Sequence, residues 1–240
     1  MSLTKQYGNT VGVDELDITV ERNDVYGFLG PNGAGKSTTI DMLSGYIHPT
    51  TGTARVLGYT PWDETVELHR RIGILPDDFD VYDGVSARRH LSLAINTHGS
   101  DEDPLEFLGR VGLREVAGED AGEFSEGMKQ RLALALALVG DPELLLLDEP
   151  FTGLDPHGVK KVRNIVRTEV DRGATVLVSS HILGEIEPLC DSVGIVHGGR
   201  TVGQGTLESI RMEQNLPGDA SLKDIILQLT ESNIRMEEAD

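Results

Sequence analysis

Gly30-Pro31-Asn32-Gly33-Ala34-Gly35-Lys36-Ser37 decides how this chain is read, because it meets the phosphate-binding pattern G-x-x-x-x-G-K-[ST] at every fixed position. Glycines lack a Cβ, so successive backbone N–H groups can wrap phosphate oxygens; Lys36 adds a compact positive charge at the β/γ end, and Ser37 offers its hydroxyl to Mg²⁺. The flanks agree. Val25–Leu29 is a short apolar run of the buried-strand kind, and Ser37 to Tyr46 fits a helix whose N-terminus favours anions. A glycine-rich turn with a stray lysine has no reason to sit between such a strand and such a helix. The expected ligand is a nucleoside triphosphate.

The chain has 240 residues, 38 % of them hydrophobic, which suffices for one large domain or a domain carrying an inserted subdomain. Runs of apolar residues fall short of the ~20 needed to span a bilayer, and the first residues show no signal-peptide pattern, so a soluble, cytoplasmic protein is expected. The single cysteine, Cys190 beside Leu189, reads as a small buried filler with no chemistry assigned. Forty acidic against 21 basic residues give a net charge of −19, and only 6 of the basic residues are lysine. Such a surface repels nucleic acid and anionic lipid. It also suits a cell that accumulates molar salt, where the Debye length shrinks to ~3 Å and self-repulsion is screened.

Outside the phosphate loop, Leu16, Ile18 and Val20 alternate with polar neighbours, which predicts a half-exposed strand over about 15–21 pairing with the strand that enters the loop. Two roles fit Tyr7: a strand residue packed on the core, or an aromatic platform for an adenine ring. Thr53 to Leu57 reads as a short strand after the His48–Gly52 turn, and Ile72–Leu75 as a buried one stopped by Pro76. Of the acidic residues that follow, Asp77 leaves a strand near the phosphate site and is a candidate Mg²⁺ ligand, while Asp78 and Asp80 read as a solvated loop. From Ser86 to Gly112 the period is helical, with Leu91, Ala94 and Ile95 on one face and Pro104 opening a second helix. Ser125 is placed as the N-cap of a helix running through Lys129–Val139.

Leu144–Leu147 is a buried strand that delivers two carboxylates at its end. Asp148 is placed to hold Mg²⁺ through water and Glu149 to polarise an attacking water. A further buried strand, Ala174 to Val178, leads to Ser179, Ser180 and His181. A lone histidine in such a place is more often structural, yet a third strand pointing a polar group toward the same end of a parallel sheet favours a γ-phosphate contact. Ser192 to Val202 reads as a hairpin turning at Gly198-Gly199, and Ser221 to Leu229 as an amphipathic helix.

Taken together these motifs resemble the nucleotide-binding subunit of ABC transporters, and the likeness runs from about Leu3 to Gly205. It implies an α/β fold: a P-loop NTPase core with a mainly parallel sheet, an N-terminal antiparallel β subdomain, and a helical subdomain inserted over about 78–140. It implies one domain over residues 1–240, with a helical tail from 206. On this resemblance Gly30, Pro31, Asn32, Gly33, Ala34, Gly35, Lys36, Ser37 and Thr38 bind ATP with Tyr7 stacked on adenine, and Ser37, Asp148 and Asp77 surround Mg²⁺. Glu149 and His181 act in catalysis, Asp155 is the D-loop aspartate, and Ser125, Gly127 and Met128 form the signature that meets the nucleotide of a second subunit. Two motifs depart from the family pattern. The signature L-S-G-G-Q is here Phe124-Ser125-Glu126-Gly127-Met128, and the Q-loop glutamine is Asp77. With the phrase Phe28 to Thr38, these departures are similar to the branch that exports multidrug, antibiotic and other natural products.

The implied machine is a homodimer or heterodimer of ATPase subunits closing head to tail on ATP. It would drive separate transmembrane permease subunits at the inner face of the cell membrane, with no nucleic-acid partner. The competing expectation is a soluble ABC-type ATPase acting on nucleic acid or as an assembly factor. The acidic surface opposes it, as does the lack of a second nucleotide module or a long coiled coil. Binding without hydrolysis is disfavoured because Glu149 and His181 are both in place.

Overall fold

The computed structural model describes residues 2–237. Its order is β1 (Leu3–Tyr7), β2 (Thr10–Leu16), β3 (Val25–Leu29), α1 (Lys36–Leu43), α2 (Thr65–His69), β4 (Ile72–Leu75), α3 (Ala87–His98), α4 (Pro104–Arg110), α5 (Glu126–Ala137), β5 (Leu144–Leu147), α6 (Pro156–Asp171), β6 (Thr175–Ser180), α7 (Leu183–Ile186), β7 (Ser192–His197), β8 (Arg200–Gly205), α8 (Leu207–Glu213) and α9 (Leu222–Glu237). Six strands form one sheet in the order β4-β5-β6-β3-β7-β8, parallel except for the β7–β8 hairpin.

Both faces of this sheet are covered over β3, β4, β5 and β6, which is why these strands carry apolar runs rather than alternating ones. Successive side chains still diverge. Leu145, Leu147, Val176 and Val178 enter the core shared with helices α3 to α6, whereas Leu144, Leu146 and Leu177 enter a second core with Ile40 and Met42 of α1 and Leu3, Val13 and Leu16 of the N-terminal sheet. The helical stretch between β4 and β5 starts well capped: the Ser86 hydroxyl accepts the Arg89 N–H, and the Asp103 carboxylate accepts the Leu105 N–H ahead of Pro104. Leu91 and Ile95 are buried as the helical period requires, with Ala94 packed beside them.

Two sequence expectations are corrected. The strand near 15–21 lies earlier, at Thr10–Leu16, and its partner is β1, with Leu3 opposite Leu16 and Tyr7 opposite Thr10; the neighbours of β3 are β6 and β7. Glu15, with φ of +48°, sits in a register shift between the Lys5–Val13 and Leu3–Leu16 pairs, and the Gly8-Asn9 turn closes the hairpin. Thr53–Leu57 is not a strand. Leu57 takes φ of +51° and, with Gly58, turns the chain so that Val56 bridges to Tyr59. Elsewhere boundaries shift: α1 stops at Leu43, α5 begins at Glu126, and β6 continues through Ser179 and Ser180, while α8 falls at the start of the expected helical tail. The tail expected over 206–240 extends past the described residues at 238–240.

Candidate active site

The C-terminal ends of β3, β4, β5 and β6 open on a cleft of about 420 Å³ lined by Gly12, Asn32, Gly33, Gly35, Lys36, Ser37, Thr38, Asp77, Glu149, Thr152 and His181. Chain reversal between β3 and α1 produces the loop half. Gly35 takes φ of +99°, and a Cβ there would stand 2.4 Å from the Gly12 carbonyl oxygen, so only glycine lets the loop pass β2. The Lys36 ammonium is buried (6 % exposed); it donates to the carbonyls of Gly30 (2.9 Å) and Pro31 (3.3 Å) and lies 3.3 Å from Glu149 Oε1. Both α1 and the loop therefore present donors and positive charge to one space.

Strands β5 and β6 supply the acidic half. Asp148 and Glu149 leave β5 buried, and Ser179 of β6 lies between them: its hydroxyl donates to Asp148 Oδ1 and accepts the Glu149 N–H at 2.9 Å. Glu149 holds φ of +49°, a left-handed backbone uncommon for a residue with a side chain. That turn swings its carboxylate away from Asp148, so that Oε1 meets Lys36 and Oε2 meets His181 Nδ1 at 2.9 Å, with the His181 N–H at 3.4 Å. A carboxylate, an imidazole and an ammonium thus meet at one edge of the cleft. Burial, then the charges of Asp148 and Glu149, hold the Asp77 carboxyl above the usual carboxylate range; burial and Asp148 do the same to Asp41 of α1.

The sequence-derived residues divide into two groups. Lys36, Ser37, Thr38, Asp77, Glu149 and His181 line the cleft with the phosphate loop, while Asp148 is buried and held by the Ser179 hydroxyl. Ser125, Gly127 and Met128 do not line this cleft. Ser125 is exposed at the N-cap of α5 and its hydroxyl makes no capping bond, Gly127 lies near Leu154, and Met128 packs against the core. Asp155 caps α6 by accepting the Gly158 N–H at 2.7 Å. Tyr7 is 49 % exposed, which removes the core-packing alternative; its ring lies over Gly12 beside the cleft, with Lys5 Nζ 5.2 Å from the centroid. Cys190 fills space under Gly27, and burial pushes its thiol up. Residues not singled out from sequence are Ser179, Thr152, Gly12 and Asp41. Only Ser179 carried a signal, a hydroxyl at the end of a buried strand one turn of alternation before His181.

A family model described as ABC transporter matches residues 13–152. The bacitracin transport ATP-binding protein BcrA of Bacillus licheniformis is 45 % identical over 201 residues, 82 % of this chain and 66 % of that protein. The linearmycin resistance ATP-binding protein LnrL of Bacillus subtilis is 36 % identical over 97 % of this chain and 74 % of its own. Thus the chain spans about two thirds to three quarters of the length of these relatives. A solved ATP-binding subunit of an ABC transporter superposes with a TM-score of 0.87 at 32 % identity, covering 95 % of this chain and 97 % of that one. A family model over more than half of the chain, relatives at 36–45 % identity and a superposition along nearly its whole length agree, and the chain belongs to the ABC transporter family.

Proposed function

We propose that this chain hydrolyses ATP to power an exporter of antibiotics or related natural products, as one of two ATPase subunits docked on a separate permease at the inner face of the cell membrane. The observation that carries the hydrolytic part is the placement of Glu149, with one carboxylate oxygen toward Lys36 and the other on His181, at the mouth of a phosphate loop. Lys36 and the loop amides bind the triphosphate. Glu149 takes the proton of the attacking water, and His181, its Nδ1 engaged by Glu149, presents the rest of its ring to the cleft. The choice of cargo rests on the names of the relatives, bacitracin transport and linearmycin resistance. Among the described residues no helix is long and apolar enough to cross a membrane.

The donor set suits Mg²⁺: the hydroxyl of Ser37 and the carboxylates of Asp148 and Asp77 are hard oxygens, and burial together with the neighbouring carboxylates, which raise the Asp77 carboxyl, makes a divalent cation there favourable. Among the described residues no cluster of three or more His, Cys, Asp or Glu could hold a metal ion by itself. When bound, the ion neutralises charge developing on the phosphate oxygens. Ser125, exposed and away from its own cleft, is free to serve a second subunit's nucleotide, and residues 78–140 form the helical part that presents it, within a single domain. A net charge of −19 suits a salt-rich cytoplasm. The test is Glu149→Gln, which keeps shape but cannot accept the proton. ATP binding should persist while steady-state turnover vanishes, and turnover near the parent rate would remove Glu149 from the role of base.

A further inference from the structure

The loop that leaves the cleft at Asp77 is stitched to the stretch that feeds the exposed serine of α5. At the centre of the seam is Asp120. Its two carboxylate oxygens accept the Gly84 N–H at 3.0 Å each, and Oδ1 also accepts the Gly122 N–H at 2.9 Å. Backbone bonds extend the seam on both sides: Ala121 N–H to Val85 O at 3.0 Å, Ala87 N–H to Glu119 O at 3.3 Å and Arg88 N–H to Ala117 O at 2.8 Å. Gly122 permits this approach, since a Cβ there would stand 2.6 Å from Asp83 Oδ1 and 3.3 Å from Asp83 Cα. The far side of the loop is held as well, by the buried His90, whose Nε2 accepts the Tyr82 N–H at 3.0 Å. Three residues separate Asp120 from Phe124, which is buried, and Ser125 follows directly.

We propose that Asp120 is a positioning residue for ATP turnover, its carboxylate locking the loop that begins at Asp77 to the segment that seats Ser125. The inference rests on the reading that Ser125 serves the nucleotide of the partner subunit. Loop and signature then move as one body: a displacement of the loop beside one cleft resets Ser125 at the other. Charge-assisted acceptance of three N–H contacts makes a stiff joint, and its loss lets Ser125 drift without touching any group of the chain's own cleft.

The test uses dimers of differently tagged chains purified through both tags, with one Walker A disabled by Lys36→Ala so that a single site turns over. In the first arrangement Asp120→Ala is on the Lys36→Ala chain, and its partner is unaltered; the intact site then borrows the loosened signature. In the second, Asp120→Ala is on the other chain, and the intact site borrows an unaltered one. Turnover should fall roughly tenfold in the first arrangement and stay at the level of the Lys36→Ala control dimer in the second. A general structural role would lower both alike, and equal rates in the two arrangements overturn the proposal. Ser125→Arg, placed the same two ways, separates the premises. Asymmetry for Ser125→Arg without asymmetry for Asp120→Ala defeats the Asp120 role alone, whereas symmetry for Ser125→Arg defeats the shared site itself. If the control dimer does not turn over, trapping of labelled ATP in the intact site is compared instead. If Asp120→Ala lowers the melting temperature, Asp120→Asn, which keeps one acceptor and the side-chain shape, should show the same asymmetry in weaker form; its absence likewise overturns the proposal.

Discussion

Replacing Arg110 by methionine should destabilise this protein more than any surface substitution, and the structure sets the size of the effect. The guanidinium of Arg110, on α4, pairs with Glu169, on α6, through Nε at 3.2 Å and through a second, shorter contact from Nη2; Nη1 reaches Asp141 at 2.8 Å. The two side chains of the central pair are only 11 % and 6 % exposed, so Arg110→Met strands a buried carboxylate. One-sided removal of a buried pair costs about 3–5 kcal/mol. Arg172 Nε stands 3.7 Å from the same Glu169 oxygen and takes up part of the loss, which argues for the low end, near ~3 kcal/mol. At roughly 2–4 °C per kcal/mol for a chain of this length, the melting temperature should fall by about 6–12 °C. The double variant Arg110→Met/Glu169→Leu removes both charges and should return to within ~1 kcal/mol of the parent. Because the pair is shielded from solvent, the single-variant deficit should persist in molar KCl. Thermal melts of Arg110→Met, Glu169→Leu and the double variant read the whole cycle. A drop under about 2 °C for Arg110→Met, or a double variant as unstable as the sum of the singles, would refute the argument.

Ser179→Ala leaves the buried Glu149 N–H without an acceptor and frees Asp148; kcat should fall about tenfold or more with KM for ATP little changed, and an unaltered kcat would show that the bridge is idle. Gly35→Ala meets the Gly12 carbonyl at 2.4 Å in a left-handed conformation, so nucleotide affinity should drop at least ~10-fold in a fluorescent-ATP titration, and full affinity would contradict the loop geometry. With −19 to screen, both melting temperature and ATPase rate should climb with KCl into the molar range, and a flat or falling melt would end the salt-adapted reading.

What could be read in advance follows from how each element is specified. Val25–Leu29, Ile72–Leu75 and Leu144–Leu147 are buried on both faces, so their composition alone fixes them, and Gly30, Pro76 and Asp148 mark their ends; all three strands fall where the apolar runs lie. The strand expected over 15–21 lies instead at Thr10–Leu16, because alternation through Leu16, Ile18 and Val20 runs on past the register shift at Glu15 and the end of β2, and backbone dihedrals of a glutamate are invisible in a sequence. Ile18 and Val20 instead line a groove opposite Thr53–Gly58, where tertiary packing uses the same alternation without a ladder. At the site, motif residues were legible because each has one chemistry at one spacing. Ser179 was not, since its hydroxyl acts through an Asp148 and a Glu149 thirty residues away, a relation that only the parallel pairing of β5 with β6 creates.

The left-handed backbone at Glu149 bears on how such a chain can change over generations. A side chain at φ of +49° costs about 1 kcal/mol that glycine would not, so the position is favoured by turnover and opposed by folding. The ion pair works the other way, because a glycine there leaves the buried Lys36 ammonium without its carboxylate, a loss that outweighs the backbone gain. A copy relieved of hydrolysis should therefore surrender the strained glutamate only together with the phosphate-loop lysine.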